Sequence, residues 1–379
     1  MRIKRNVTIL LSVIMLLLSL PVKVGAVTDN DITAPSAILV DSDSFKILYE
    51  KNSHEKRSVA SITKVMTVLL IMEDIESGKI SLTDTITSSA HAASMGGSDI
   101  WLEEGEQMSL DDMLKATLVA SANDAAVALA EHTEGSEEAF VKRMNNRAKE
   151  LGMKDTVFKN CNGLDEEGHL SSAYDVALMS AELVKHVKVF DYTKIWLDFL
   201  RDGKTQIVNT NKLLKSYNGI TGLKTGTTSE AGSCISATAN RDGLSLIAVC
   251  LGSSSGTDRF KDASMLLDFG FNNYSVSVPQ KVKLKDIKVN RGMEEKLSLS
   301  ADNPKSFVTE KGGNQEIKAE VKAPKEISAP IKKNQTIGKI VYKLNDKTIQ
   351  TVTVRAKKAV EKCTFGNSFK YLLERLAAL

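Results

Sequence analysis

"SVASITKVMTVLL", residues 58–70, runs from a polar approach into an apolar segment, with Ser61 and Lys64 three residues apart. Ser61 reads as the opening of a helix that ends near Ser77, so Lys64 lies one turn on, on the same face. Val65, Met66, Val68, Leu69 and Leu70 would bury that helix. Desolvation disfavours charge, so a lysine buried among them has its neutral form favoured. A neutral amine beside a hydroxyl can take its proton, which a serine nucleophile requires. The helix N-terminus also offers backbone N–H groups to developing negative charge. The blander reading is a helix cap and a chance surface lysine. A second Ser-x-x-Lys, Ser53 to Lys56, sits in what reads as a polar loop and has no such setting.

A nucleophile and a base need further walls. "VASANDAAVALAE" supplies Ser121-Ala122-Asn123 at the junction of two helices, and "GITGLKTGTTSEAG" supplies Lys224-Thr225-Gly226 on a strand. Lys-Thr-Gly occurs once; the other Ser-x-Asn, Ser216-Tyr217-Asn218, is too close to Lys224 in sequence to form a separate wall. The chain order Ser61, Ser121, Lys224, each in a fitting element, is a strong joint signal.

The surrounding pattern is α+β. Residues 34–52 read as two strands around an Asp41-Ser42-Asp43 turn. Helices are expected over 109–120, with Ser109 as cap, then in "NDAAVALAEH", in "SEEAFVKRMNNRAKELG" and over 171–185. Strands return at 206–209, 219–225, 232–240 and 243–252, and a helix closes the run at 256–271. Strands, many helices, then antiparallel strands imply helices packed on one antiparallel sheet, not an alternating parallel fold. After Asn273 short alternating segments separated by Gly, Asn and Pro read as a small all-β sandwich without a catalytic constellation.

The first 26 residues have a basic start, an apolar run from Val7 to Leu20 and small residues Val24-Gly25-Ala26, the pattern of a cleaved secretory signal. No cysteine follows the apolar run to carry a lipid. The expected division is a signal peptide over 1–26, a catalytic domain over 27–275, a β domain over 276–357 and an amphipathic segment over 358–379. Net charge is about −12 for 27–275 and about +9 for 276–357, so the basic domain suits an anionic membrane or wall polymer, or is simply a soluble lysine-rich surface. In the tail Phe365, Phe369, Leu372, Leu373 and Leu376 share one helical face, as in an in-plane membrane anchor. Cys161, Cys234, Cys250 and Cys363 have no metal spacing; Cys234 and Cys250 could meet across a hairpin turning near Asp242-Gly243, but read more simply as small core residues. His132 and His169 lack metal-spaced partners and read as polar surface or cap residues, and Trp101 and Trp196 as core or groove-edge aromatics. No metal, cofactor or nucleic-acid partner is expected.

These motifs, with "FKNCNGLDEEGHLSSAYDVALM", the β module and the tail, give a chain that resembles the low-molecular-weight penicillin-binding proteins of the D-alanyl-D-alanine carboxypeptidase type, peptidase family S11. The resemblance implies a penicillin-binding/β-lactamase-like fold and an exported, cell-wall enzyme. Its substrate would be a peptidoglycan stem peptide ending in D-Ala-D-Ala, and β-lactams would acylate it. It further implies that Ser61 forms the acyl-enzyme, Lys64 is general base, and Ser121 relays a proton to the leaving D-alanine with Lys224 nearby. Asn123 would hold the substrate amide and Lys64, Thr225 would meet the terminal carboxylate, and the N–H groups of Ser61 and Thr227 would form the oxyanion hole. Gly226 would let substrate lie along the strand edge. Arg259 falls where family members carry a carboxylate-orienting arginine; its other reading is a surface salt bridge. The chain departs from relatives in having Thr227 after Lys-Thr-Gly and Thr210 where some carry a second arginine. A serine β-lactamase is the nearest rival, but "EGHLS", 167–171, does not complete its deacylating glutamate pattern. A transpeptidase would pass through the same acyl-enzyme and differ only in the acceptor. A non-catalytic sensor of β-lactams or wall peptides would need the cleft but not the proton relay.

Overall fold

In the computed structural model the described residues are 27–312 and 316–370. Residues 1–26, where the signal peptide is expected, and 371–379, the end of the expected anchor segment, lie outside them. The chain forms two compact units that meet in sequence between Ser275 and Val276.

The larger unit is built on a five-stranded antiparallel sheet. β1 (Ser36–Asp41) and β2 (Ile47–Lys51) form a hairpin. β3 (Ile220–Thr228), β4 (Gly232–Arg241) and β5 (Leu244–Ser253) follow only after a long helical excursion. The order is β2-β1-β5-β4-β3, so the first strand pairs with the last and Lys224-Thr225-Gly226 lies on an edge strand. Every residue of β1 is buried, as in a strand with both faces covered. One face takes α6 (Gly256–Asn273), whose Gly270 lies so close to Leu246 and Leu39 that a Cβ would stand 2.4 Å from a Leu246 methyl. On the opposite face Ser180 of α5 (Ala173–Leu183) bonds the Ser236 hydroxyl of β4 at 2.8 Å.

The other helices of six residues or more are α1 (Lys64–Glu76), α2 (Leu110–Lys115), α3 (Asn123–Glu134) and α4 (Glu137–Glu150). Serines start four of these six longer helices: Ser109, Ser136, Ser172 and Ser255 each accept the backbone N–H three residues on, satisfying an otherwise orphaned donor. α1 is buried without a break from Lys64 to Met72, and a helix apolar on all sides belongs in a core. Its polar end is secured by α4, where Arg143 grips the buried Asp74 carboxylate through two bonds of 2.7 Å.

One expectation changes here. Ser61 does not open the α-helix: Ala60–Thr63 is a separate 3₁₀ turn, and α1 begins at Lys64. Ala60 enters this turn at φ 50, a left-handed conformation that costs an alanine about 1–2 kcal/mol. The turn is tightened by Ile62 N–H to Val59 O at 3.2 Å. Cys161, Cys234 and Cys250 are free, buried residues of this unit.

In the second unit Leu299–Ala301, Lys347–Ala356, Thr336–Leu344 and Ile317–Lys322 form one sheet in that order. Lys296–Leu297, Ile287–Asn290 and Glu326–Ser328 form another. Alternating apolar positions such as Ile340, Tyr342, Val352 and Val354 turn one face inward. The chain after 357 does not leave this unit at once, as the expected boundary had it. Val360 is buried and exchanges both backbone bonds with Ile331, and Cys363 N–H reaches Arg291 O. A helical turn follows only at 365–370.

Candidate active site

Three segments distant in sequence converge on the Ser61 turn. Lys64, with no exposed surface, points its amine at three acceptors: Ser61 Oγ at 3.0 Å, Asn123 Oδ1 at 2.5 Å and the Asn162 carbonyl at 2.7 Å. Burial brings its pKa down to about 7, against a weaker opposing pull from the Asp99 and Asp124 carboxylates. As an ammonium it donates to all three. As a neutral amine it keeps two donors for Asn123 and Asn162, which leaves the lone pair facing Ser61.

The second wall is the junction of α2 and α3. Residues 116–120 form a π turn that ends in Ser121 at φ 64, a left-handed residue that breaks the helix and turns its hydroxyl toward β3. There the buried Lys224 donates to Ser121 Oγ at 2.8 Å and to Thr225 O at 2.9 Å. Burial holds Lys224 well below an ordinary lysine, and the charges of Lys64 and Arg259 add to the effect. Asn123 is itself fixed, its Nδ2 donating to Gly96 O at 2.7 Å. Next to it the buried Asp124 carboxylate accepts the N–H groups of Ile100 and Leu102, tying the 96–102 loop to this wall.

The third wall is β3. A Cβ on Gly226 would stand 2.8 Å from Val59 O and 2.9 Å from Ser61 N. The glycine is thus required by the contact between this strand and the Ser61 turn, a different reason from the substrate clearance expected of it. Thr225 Oγ1 bonds Thr210 Oγ1 at 2.6 Å, so Thr210 does lie beside the Lys-Thr-Gly strand. Arg259 makes no surface salt bridge. It is 9% exposed and lies behind the strand, where one guanidinium nitrogen donates to Gly226 O at 2.8 Å and Thr227 Oγ1 at 2.7 Å. Burial lowers its pKa.

All nine residues singled out from the sequence therefore lie in or directly behind one cleft. Several supports were not foreseen. Asn162 acts through its carbonyl, and the adjacent Gly163, at φ +87, faces the Ser61 turn so closely that a Cβ would overlap Ala60 O at 2.0 Å. Asn160 Oδ1 accepts Gly163 N–H at 2.7 Å and shapes that turn. His169 is buried, not a surface or cap residue: it accepts Lys159 N–H at Nδ1 and bonds Thr63 Oγ1 at 2.8 Å, and burial lowers its pKa to about 4. The signal for these was the dense Asn-Cys-Asn-Gly run itself, since such residues shape turns. Trp101 is 80% exposed and Trp196 carries the Lys215 ammonium over its ring, so neither is a core residue. Among the described residues no three His, Cys, Asp or Glu side chains converge as a metal site.

The peptidase S11 profile, D-alanyl-D-alanine carboxypeptidase, matches residues 23–255. The chain belongs to this family. The C-terminal domain of penicillin-binding protein 5 matches residues 275–362. The chain is 45% identical over 338 residues to D-alanyl-D-alanine carboxypeptidase DacF of Bacillus subtilis, covering 88% of this chain and 87% of that one. It is similar to the crystal structure of penicillin-binding protein 5 from Haemophilus influenzae, at 31% identity, TM-score 0.76 and coverage of 89% and 100% of the two chains. Penicillin-binding protein D2 of Listeria monocytogenes, solved in an ampicillin-bound form, is similar at 32% identity and TM-score 0.59 over 64% of this chain and 100% of that one. Family membership favours the carboxypeptidase reading over the β-lactamase and the sensor.

Proposed function

We propose that Ser61 of this carboxypeptidase attacks the carbonyl between the two terminal D-alanines of a peptidoglycan stem peptide. The observation that carries the assignment is the buried Lys64 amine, 3.0 Å from Ser61 Oγ with its other bonds fixed. Lys64 takes the hydroxyl proton as the C–O bond forms. The N–H groups of Ser61 and Thr227 receive the oxyanion, and Gly226 permits the approach of β3 that brings them together. Ser121, bonded to Lys224, delivers a proton to the departing amine as the C–N bond breaks. Water then cleaves the Ser61 ester. Asn123 holds the substrate amide and Thr225 meets the terminal carboxylate. Arg259 acts through β3 as a positioning residue, since its bonds go to Gly226 and Thr227. β-Lactams acylate the same serine.

The enzyme works outside the cytoplasmic membrane, exported by the 1–26 leader, with 27–275 as the catalytic domain. The tail from 365 lies on the membrane surface. Phe365 and Phe369 support this, because they stack at 6.2 Å and are 88% and 54% exposed on one side of the first helical turn. Among the described residues no helix is long and apolar enough to cross a bilayer.

The test is incubation of the purified ectodomain with a stem peptide ending in D-Ala-D-Ala and, separately, with a chromogenic cephalosporin. D-alanine release and slow stoichiometric labelling, both lost in Ser61→Ala, are expected. Rapid cephalosporin turnover would indicate a β-lactamase; labelling without D-alanine release would indicate a sensor.

A further inference from the structure

The cleft has an apolar rim that the chemistry at Ser61 does not use. Among the described residues of the larger unit, the large apolar side chains with substantial exposure include Trp101 at 80%, Phe199 at 48%, and Leu197 and Val208 at 43% each. They belong to two adjacent pieces, the 96–102 loop and the hairpin of Leu197–Leu200 with Thr205–Val208. Alternation explains the hairpin's outer face. Leu200 and Ile207 turn into the core, so Leu197, its cross-strand partner Val208, and Phe199 face outward. Arg201 clamps the two pieces together, donating to Ile100 O at 2.9 Å and Trp101 O at 3.3 Å while pairing with Glu106.

Both pieces are also tied to the catalytic walls. Ser98 O accepts the N–H of Asn123, and Asp124 fixes Ile100 and Leu102 on either side of Trp101. The hairpin runs directly into Thr210, which bonds Thr225. Trp101, at φ 54, is therefore a rigidly held backbone presenting a bare indole at the cleft margin. Exposed apolar clusters of this kind mark contact sites, and a preset tryptophan is the side chain that most often dominates one. Among the exposed charged residues of the loop and hairpin, Glu103, Glu104 and Asp202 outnumber Lys204, so an anionic bilayer or polyphosphate is disfavoured there. A hexose ring suits it instead: largely neutral, with a C–H face for the indole and hydroxyls for the acidic border.

We infer that Trp101 and the outward face of the 197–208 hairpin form a platform for a sugar of the glycan to which the stem peptide is attached. The inference rests on the carboxypeptidase reading above. It makes the enzyme prefer stem peptides still joined to their disaccharide over free peptides.

The test compares kcat/KM for D-alanine release from one pentapeptide, with and without its N-acetylglucosaminyl-N-acetylmuramyl group, in wild type, Trp101→Ala and Trp101→Phe. Wild type should favour the glycosylated substrate. Trp101→Ala should lose about tenfold on that substrate, mainly in KM, while free peptide and benzylpenicillin acylation stay within about twofold. Trp101→Phe should recover most of the loss. No preference in wild type, or an equal loss on both substrates, overturns the platform. A patch that serves a protein partner would give the first of these results. Failure of wild type to release D-alanine from either substrate would instead refute the carboxypeptidase assignment.

Discussion

The chain carries the same four-residue pattern twice within twelve positions, and the two copies could hardly differ more. Ser53 is buried but spends its hydroxyl on Glu50 at 2.8 Å, and Lys56 is exposed just after a turn. Ser61 stands at the mouth of a cleft, and Lys64 is sealed against it by Asn123 and Asn162. Residue types and spacing are shared. What separates the copies is burial of the amine, which lowers the pKa of Lys64 to about 7, and the closeness of two walls from elsewhere in the chain. Reactivity in this pattern belongs to its surroundings.

That contrast can be broken by experiment. The largest effect is expected at the serines. Ser61→Ala should reduce D-alanine release by about 10⁴-fold or more, whereas Ser53→Ala should leave it within about twofold. Peptide mapping after benzylpenicillin treatment should find the adduct on Ser61; an adduct on Ser53 would reverse the assignment. Next come the lysines. Lys64→Gln should cost about 10³-fold in acylation, and Lys56→Gln should cost nothing measurable.

Smaller effects probe the walls that only the second copy has. Gly226→Ala forces a methyl within 3 Å of the Ser61 turn and should slow acylation by about 10–100-fold through misplacement of the nucleophile. Wild-type rates in that variant would remove the stated reason for the glycine. The smallest effect concerns His169 beneath Thr63. Its folded pKa of about 4 lies below the reference 6.5, so the unfolded chain binds more protons between these values. Stability therefore falls as pH drops from about 6.5 toward 4. His169→Gln should flatten that fall by about 6–12 °C in the melting of the larger unit; equal slopes in both proteins would refute a buried neutral imidazole.

The legible part of this molecule was the part written in side chains. The apolar run after Lys64 placed α1, Ser109 with the acids after it placed the start of α2, and Ser61, Ser121 and Lys224 could be joined because each carries its own chemistry. The missing part is carried by the backbone and by long-range contact. Asn162 serves Lys64 through a carbonyl that every residue type possesses, 98 positions away. Gly163 and Gly226 matter for the atoms they leave out, which becomes visible only when the Ser61 turn is seen against them. His169 looked like a surface residue because its partners, Thr63 and the Lys159 amide, are not neighbours in sequence. The left-handed Ala60 and Ser121 follow no local rule, since their conformations are imposed by the cleft they help to form.

The central claim is that burial makes Lys64 a base near neutral pH. The pH dependence of the second-order rate constant for acylation of Ser61 by benzylpenicillin tests it most directly. The rate should rise through a single ionisation near pH 7 and then level off, with no such step in Lys64→Gln. A rate that is flat from pH 5.5 to 9, or that keeps climbing toward the ordinary lysine range near pH 10, would contradict it.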